Sequence, residues 1–97
     1  MEDKTLLSKD ELSSLPTGWT VDGIFLDKTF YFDNYKQINL FLPWFTQVIV
    51  EQNHHPDFEF DSGAKTVHLR MTTHSEGGLT QADLKLASTL NQWESLA

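Results

Sequence analysis

The chain has 97 residues, and its seven lysines and arginines against fourteen aspartates and glutamates give a formal net charge of −7. This length predicts one domain, residues 1–97, with a single core. The negative charge repels phosphate backbones and anionic bilayers, so nucleic acid and membrane surfaces are disfavoured as direct partners. Because there is no cysteine, a disulfide framework and a thiolate zinc site are both excluded.

The first residues, MEDKTLLSKDELSSL, contain no apolar run that resembles a secretory signal, and their acids argue against a transit peptide. No apolar segment of about 18 residues is present to cross a bilayer. We therefore expect a cytoplasmic protein.

The first predicted elements are a short helix and a hairpin. Ser8 and Glu11 have the spacing of a capping box, which predicts a helix start. Two strands, GWTV and IFLDKTFYF, lie on either side of Asp22-Gly23, a pair typical of two-residue hairpin turns. In the second strand, alternate residues from Ile24 to Phe32 are mostly apolar and those between them are mixed, which predicts one buried face.

The longest apolar stripe lies between Asp33 and Asn53 and predicts the core helix. Pro43 lies inside this stretch and removes a backbone donor, so we expect a kink or a helix whose regular part begins near Leu42. Pro56 disfavours helical backbone at the preceding residue, so the helix ends at or before His55. The stripe, at steps of three and four, consists of Ile38, Phe41, Leu42, Phe45, Val48 and Ile49.

The remainder predicts a second hairpin and a last helix. The segments Phe58 to Phe60 and KTVHLRMTTH flank DSGA, and alternation places Val67, Leu69 and Met71 on one face. Thr80 and Asp83 have capping-box spacing and predict a helix from about Gln81 to Trp93. The order α-β-β-α-β-β-α, with hairpins between strands, predicts an α+β fold with a four-stranded antiparallel sheet and helices on one face.

Three of the four histidines are candidates for chemistry. His54 and His55 are adjacent, and His74 lies at the predicted end of a strand before a glycine-containing loop. Imidazole gives or takes a proton near neutral pH, and the neutral ring binds metals. Neighbouring side chains in an extended segment point in opposite directions, so His54 and His55 suit two walls of a pocket better than one metal ion.

Structural explanations of the same residues stay open. His54 and His55 could be helix-terminal residues favoured by the helix dipole. His68 suits a solvated strand face, and Asp83 is fully explained as a helix-start residue. The default role of the three tryptophans is to anchor a core or an interface; they are Trp19, Trp44 and Trp93.

A metal site is a further alternative. His54 and His74 with Asp57 or Asp61 could hold zinc, because their spacing does not exclude it. Neither HExxH nor another recognised ligand pattern is present, so the sequence does not favour this alternative.

Three ordered motifs, HHP, TTH and GGLTQAD, resemble the pterin-4a-carbinolamine dehydratase family, which includes the dimerisation cofactor of a hepatocyte nuclear factor. The likeness covers most of the chain, including GW at the first strand, FYF at the end of the second and an aromatic-rich helix before the histidines. It continues through the last helix, where the matching residues are Thr73, His74, Gly78, Leu79, Thr80, Asp83, Leu86 and Ala87.

The resemblance implies a lyase that removes water from 4a-hydroxytetrahydropterin and yields quinonoid dihydropterin, without metal or cofactor. The family's three histidines fall on His54, His55 and His74, and groups with pKa values near 7 suit this proton transfer. We expect His55 to be the leading general acid/base. We expect the other two to orient and polarise the carbinolamine, and Asp83 to support them as a carboxylate near His74.

Other expected site residues surround this centre. Pro56 would fix the backbone of the histidine pair, and Trp19 would wall the pocket. Family members usually carry an acid four residues before the first histidine, where this chain has Val50 and then Glu51. After HHP they usually have a tryptophan where this chain has Phe58, which keeps a flat apolar surface but loses the indole donor.

A second hypothesis is a binding protein on the same fold. Relatives act as transcriptional dimerisation cofactors or as assembly factors for Rubisco, with little or no catalysis. Retention of all three histidines favours the enzyme. In either role, a partly uncovered sheet face and an excess of aromatic residues favour a homodimer or a homotetramer.

Overall fold

The computed structural model describes residues 3–96 and confirms the α+β fold with the predicted order of elements. A 3₁₀ turn, His74–Glu76, lies between the last strand and the third helix. Gln92 separates that helix from a terminal helical turn, so the helix predicted to reach Trp93 ends at Asn91. The elements are α1 (Lys9–Leu12), β1 (Thr20–Asp22), β2 (Phe25–Tyr31), α2 (Tyr35–Gln52), β3 (Asp57–Asp61), β4 (Thr66–Met71), α3 (Gln81–Asn91) and α4 (Trp93–Leu96).

The four strands form one antiparallel sheet in the order β1-β2-β4-β3. In the two central strands, Lys28 pairs with Leu69, which in turn faces Phe58 on the edge strand β3. Residues directly opposite one another project from the same side of a sheet. The register therefore assigns each strand residue to one of two faces.

One face of the sheet packs against α2 and α3. Every second residue of β4 is fully or almost fully buried there, as the alternation in KTVHLRMTTH predicted. Both capping boxes are present, at Ser8 and Glu11 before α1 and at Thr80 and Asp83 before α3. The buried strand and helix residues that share this core include Leu26, Phe30, Val67, Leu69, Met71, Ile38, Phe41, Phe45, Leu86 and Leu90.

The opposite face of the sheet is polar. His68 Nε2 lies 2.9 Å from Asp27 Oδ2 across β4 and β2, and Arg70 donates to Asp22 at 3.3 Å. The Arg70 guanidinium also lies over the ring of Phe25, 4.2 Å from its centroid. His68 is therefore held in a network of charged groups.

The first hairpin turns one residue later than predicted. Asp22 pairs with Phe25, so the two loop residues are Gly23 and Ile24 rather than Asp22 and Gly23. Gly23 has a φ of 62°, whereas Ile24 does not have a positive φ. A positive φ at the first loop residue alone is the pattern of a type II′ turn, which favours glycine at that position.

Helix α2 is continuous on both sides of Pro43. The expectation that its regular part begins near Leu42 is wrong. Asn34 caps the N-terminus by accepting from the Gln37 N–H at 2.9 Å, and Ile38 is buried within the first turns. A cap and buried apolar contacts stabilise this first segment against the loss of one backbone donor at proline.

A buried cation lies on the apolar side of β2. Lys28 is 8 % exposed, and its ammonium donates to Asn91 Oδ1 at 2.8 Å and to Glu94. The same Asn91 oxygen accepts from the indole N–H of Trp19 at 2.9 Å, and the Asn91 amide donates to the Thr17 carbonyl at 3.0 Å. This network joins β2 to the C-terminal end of α3.

Among residues 3–96, no helix has the length and apolar character needed to span a membrane.

Candidate active site

A buried carboxylate, Asp83, lies where three segments of the chain meet. Its Oδ1 lies 2.6 Å from His54 Nε2, at the end of α2. Its Oδ2 accepts from the Thr73 hydroxyl at 2.8 Å and from the Thr80 N–H at 2.9 Å. Asp83 has no exposed surface, so these contacts are made away from bulk water, where charge-assisted hydrogen bonds are strong.

The two adjacent histidines have different environments. Helix α2 ends at Gln52, and Asn53 adopts a left-handed conformation with a φ of 52°. This residue turns the chain so that His54 enters the interior at 6 % exposure. His55 is exposed, and Pro56 after it is buried. The ring of His54 contacts Asp83, whereas the ring of His55 is accessible from solvent.

The third histidine lies in a tight loop rather than at the end of a strand. Strand β4 ends at Met71, and an isolated antiparallel bridge between Thr73 and Gly78 then closes the loop that presents His74. The Thr73 N–H donates to the Gly78 carbonyl at 3.1 Å instead of extending the ladder with β2. Gly77, with a φ of 68°, allows the chain to reverse. His74 is exposed.

The structure places Asp83 against His54, although the resemblance led us to expect it near His74. The link to His74 runs through the preceding residue, because Thr73 donates to Asp83. Asp83 thus connects the segment of the histidine pair to the loop of the third histidine. Its role in the helix cap and its contact with His54 use different carboxylate oxygens.

The other expected site residues have varied positions. Phe58 is 44 % exposed and packs edge-on against Phe45, with 4.9 Å between ring centroids. Glu51 is exposed on α2 and accepts from Gln47 at 3.0 Å. Trp19 is buried, and its described contacts are with Phe30 and Asn91 rather than with a histidine.

Two residues of this cluster were missed by sequence reasoning. Thr73 and Thr80 are buried, and their hydroxyl oxygens lie 2.8 Å apart. Thr80 was assigned only as a helix cap, and Thr73 only as part of a motif. One signal was available, because a threonine directly before a candidate histidine has a hydroxyl within reach of whatever the loop packs against.

No group of three histidine, aspartate or glutamate side chains within residues 3–96 is close enough to hold a metal ion. The alternative zinc site of His54 and His74 with Asp57 or Asp61 is therefore not assembled in this part of the chain. The described geometry is that of a hydrogen-bonded acid/base cluster.

The fold and this cluster define a member of a known enzyme family. Residues 5–93 match the family model described as pterin 4 alpha carbinolamine dehydratase. The match covers most of the chain, and we conclude that the chain belongs to this family.

Individual relatives agree with the family match. A protein of Dechloromonas aromatica is 41 % identical over 84 % of this chain and 70 % of its own length. A protein of Thermomicrobium roseum is 34 % identical over 98 % of this chain and 97 % of its own length. The names of both assign pterin-4-alpha-carbinolamine dehydratase activity provisionally.

A solved structure has the same fold. It is described as a transcriptional coactivator/pterin dehydratase from Brucella melitensis, and it superposes with a TM-score of 0.78. The two chains are 27 % identical, over 92 % of this chain and 98 % of the other. The four-stranded sheet with helices on one face is thus shared with an experimentally determined relative.

Proposed function

We propose that the protein dehydrates 4a-hydroxytetrahydropterin to quinonoid dihydropterin. The observation that carries the proposal is the buried contact between His54 and Asp83, from which the chain continues directly to exposed His55. Thr73 ties the loop of His74 to the same carboxylate. Membership of the dehydratase family supplies the substrate class.

The reaction needs one proton delivered and one removed. The C4a–O bond breaks as the hydroxyl oxygen takes up a proton and leaves as water. N5 loses its proton, and the electron pair of the N5–H bond forms the C4a=N5 double bond. Protons balance overall, so side chains that titrate near neutral pH can carry out both transfers.

Each histidine has a role that fits its environment. Exposed His55 is the leading general acid/base, because a ligand can reach it from solvent. His54 is oriented by Asp83 and helps to hold the carbinolamine, and His74 polarises it from the loop. Pro56 fixes the backbone after the pair, and Phe58 supplies a half-exposed ring at the rim. Glu51 and Trp19 remain candidates for supporting roles only, because their described contacts lie elsewhere.

The test is stopped-flow dehydration of freshly generated 4a-carbinolamine. We expect wild type to accelerate the reaction over buffer and His55→Ala to lose about 10²- to 10⁴-fold, the usual contribution of a general acid/base. His74→Ala should lose activity as well. The matched control is His68→Ala, which removes a histidine from the opposite sheet face and should retain wild-type rates. Wild type without acceleration would exclude the enzyme.

A non-catalytic binding or assembly role is the second candidate. It is favoured by the Brucella melitensis protein of the same fold, which is described as a transcriptional coactivator as well as a pterin dehydratase. The triple variant His54→Ala, His55→Ala, His74→Ala separates the two candidates. Binding of a partner by this variant at wild-type affinity, together with an inactive wild type, would favour binding alone.

We also propose that the protein is a homodimer or a homotetramer. The supporting observation is the edge strand β3, whose five residues are all exposed. Two of them, Phe58 and Phe60, are 44 % and 43 % exposed. An unpaired strand edge with apolar side chains is a surface that a second strand can cover.

A further inference from the structure

The hydrogens around Asp83 can be counted, because each donor group has a fixed supply. A threonine hydroxyl has one hydrogen and a backbone amide has one. The Thr80 N–H points to Asp83 Oδ2. The Thr73 hydroxyl also donates to Oδ2, so it has no second hydrogen for the Thr80 hydroxyl that lies 2.8 Å away. The Thr80 hydroxyl must therefore be the donor to Thr73.

This count determines the donor and the acceptor in each hydrogen bond of the cluster. Hydrogens run from the Thr80 hydroxyl to Thr73, and from the Thr73 hydroxyl to Asp83. The Thr80 oxygen is also an acceptor, because the Ala82 N–H points to it at 3.3 Å. Two donors thus converge on Oδ2 of a fully buried side chain. Oδ2 therefore accepts two hydrogens and carries none of its own.

The remaining contact of the carboxylate is with His54. The distance of 2.6 Å between Oδ1 and Nε2 requires one shared hydrogen, which Nε2 carries because imidazole is a stronger base than a carboxylate. Asp83 therefore orients the imidazole ring of His54 and keeps the hydrogen on Nε2. The partner of one ring nitrogen determines which of the two nitrogens carries the hydrogen.

We propose that Thr73 is a positioning residue, whose hydroxyl holds the Asp83 carboxylate as an acceptor and so keeps the Nε2 hydrogen of His54 directed at Asp83. The proposal rests on the dehydratase function described above and extends it to a residue that does not touch the substrate. Thr73 is 4 % exposed and Asp83 is fully buried, so neither offers a surface to a ligand. Thr80 belongs to the same series of hydrogen bonds, as the donor to Thr73.

The competing explanation is that Thr73 only stabilises the loop. Its backbone already does so through the bond from its N–H to the Gly78 carbonyl at 3.1 Å. Substitution of the hydroxyl leaves this bond in place. The side chain can therefore be tested separately from the loop closure.

The experiment compares Thr73→Val, which keeps the shape and removes the hydroxyl, with Thr73→Ser, which restores it. We expect Thr73→Val to lower kcat about 10-fold with KM nearly unchanged, as for a small misplacement of a reacting group. Thr73→Ser should recover to within about twofold of wild type. Thr73→Ala is a second variant without the hydroxyl, for use where valine prevents folding.

The matched control is Thr72→Val. Thr72 is 6 % exposed, and its hydroxyl oxygen makes no hydrogen bond among the described residues, so valine removes a buried hydroxyl without breaking a contact with Asp83. Loss of this hydroxyl should leave kcat and the His54 Nε2 signal as in wild type. An equal loss of kcat in Thr72→Val and Thr73→Val would indicate a general effect of removing a buried hydroxyl and would overturn the proposal.

A readout independent of activity is the imidazole nitrogen spectrum of ¹⁵N-labelled protein. In wild type, His54 should show a hydrogen on Nε2 that exchanges slowly with water. In Thr73→Val, this signal should broaden or shift. Unchanged kcat and an unchanged Nε2 signal in Thr73→Val would overturn the proposal. An inactive wild type with the predicted Nε2 signal would instead refute the dehydratase function alone.

Discussion

Asn53 has a φ of 52° and a ψ of 39° directly after α2. This left-handed conformation costs an ordinary residue about 1–2 kcal/mol, and asparagine and glycine tolerate it best. The next residue is His54, so the turn at Asn53 determines where that ring enters the interior. A single backbone angle thus contributes to the geometry of the candidate site.

We predict that Asn53→Ala lowers the free energy of unfolding by about 1 kcal/mol, because alanine lacks the local hydrogen bonding that makes the left-handed region accessible. Asn53→Gly should be neutral or slightly stabilising at the same position. Urea unfolding followed by far-UV circular dichroism measures both. Equal stability of Asn53→Ala and wild type would show that the conformation is not strained.

At the level of single residues, the sequence marked candidate site residues but did not predict their contacts. The motif HHP marked His54 and His55, but nothing in the spacing indicated that Asp83 would contact the first of them. That contact depends on how α3 docks on the end of α2, which is a long-range effect. The capping-box pattern predicted the contact that Asp83 Oδ2 makes with the start of α3. The contact of Oδ1 with His54 depends on tertiary packing.

Among the secondary-structure elements, β2 and α3 are joined by a polar network inside an apolar layer. Lys28 lies on the same face of β2 as the buried apolar residues, and its ammonium donates to Asn91 and Glu94. The Glu94 side chain is 55 % exposed. Because water screens that carboxylate, the amide of Asn91 is the more important partner.

We predict that Asn91→Ala lowers the free energy of unfolding by about 2–4 kcal/mol, since both the Trp19 indole and the Lys28 ammonium lose an acceptor. Glu94→Gln should cost less than about 1 kcal/mol, as is typical of a solvent-exposed ion pair. Chemical denaturation of the two variants at low and high salt measures the difference. A larger loss in Glu94→Gln would assign the buried lysine to the ion pair instead.

The helices and strands were largely predictable from the hydrophobic periodicity and from the turn and capping residues between them. Alternation gave β2 and β4, and the apolar stripe gave α2. The errors arose where the local sequence was compatible with two backbone conformations. Gly23 suits either of two turn registers, and the II′ register prevailed because only one positive φ was needed. Pro43 does not terminate α2, because burial of the stripe on both sides offsets the missing donor.

For the whole molecule, the exposed apolar surface includes the edge strand β3 and the outer side of α2. On α2, Leu40 and Val50 are 58 % and 70 % exposed. On β3, the sequence DFEFD alternates acids with two phenylalanines, and the acids lie on the open face of the sheet with His68 and Arg70. Pairing of two copies around Glu59 would place Asp57 opposite Asp61 of the second copy, which is unfavourable at low ionic strength.

We predict that self-association through β3 strengthens as salt increases, because counterions screen these carboxylates. Phe60→Asp should yield monomers by removing apolar surface and adding a further charge. Val50→Asp, on α2, is the matched control and should retain the wild-type oligomer. Sedimentation velocity at two salt concentrations measures both effects. Dissociation in Val50→Asp alone would move the interface to the helix.

Asp83 divides its two oxygens between the start of α3 and His54, and this division links the folding of one helix to the readiness of the site. Any opening that releases the first turn of α3 also releases the carboxylate from the imidazole. The Thr80 amide, which donates to Asp83, should therefore exchange its hydrogen only as rapidly as the site itself comes apart. A single backbone proton then reports how long the histidine cluster stays assembled before any substrate arrives.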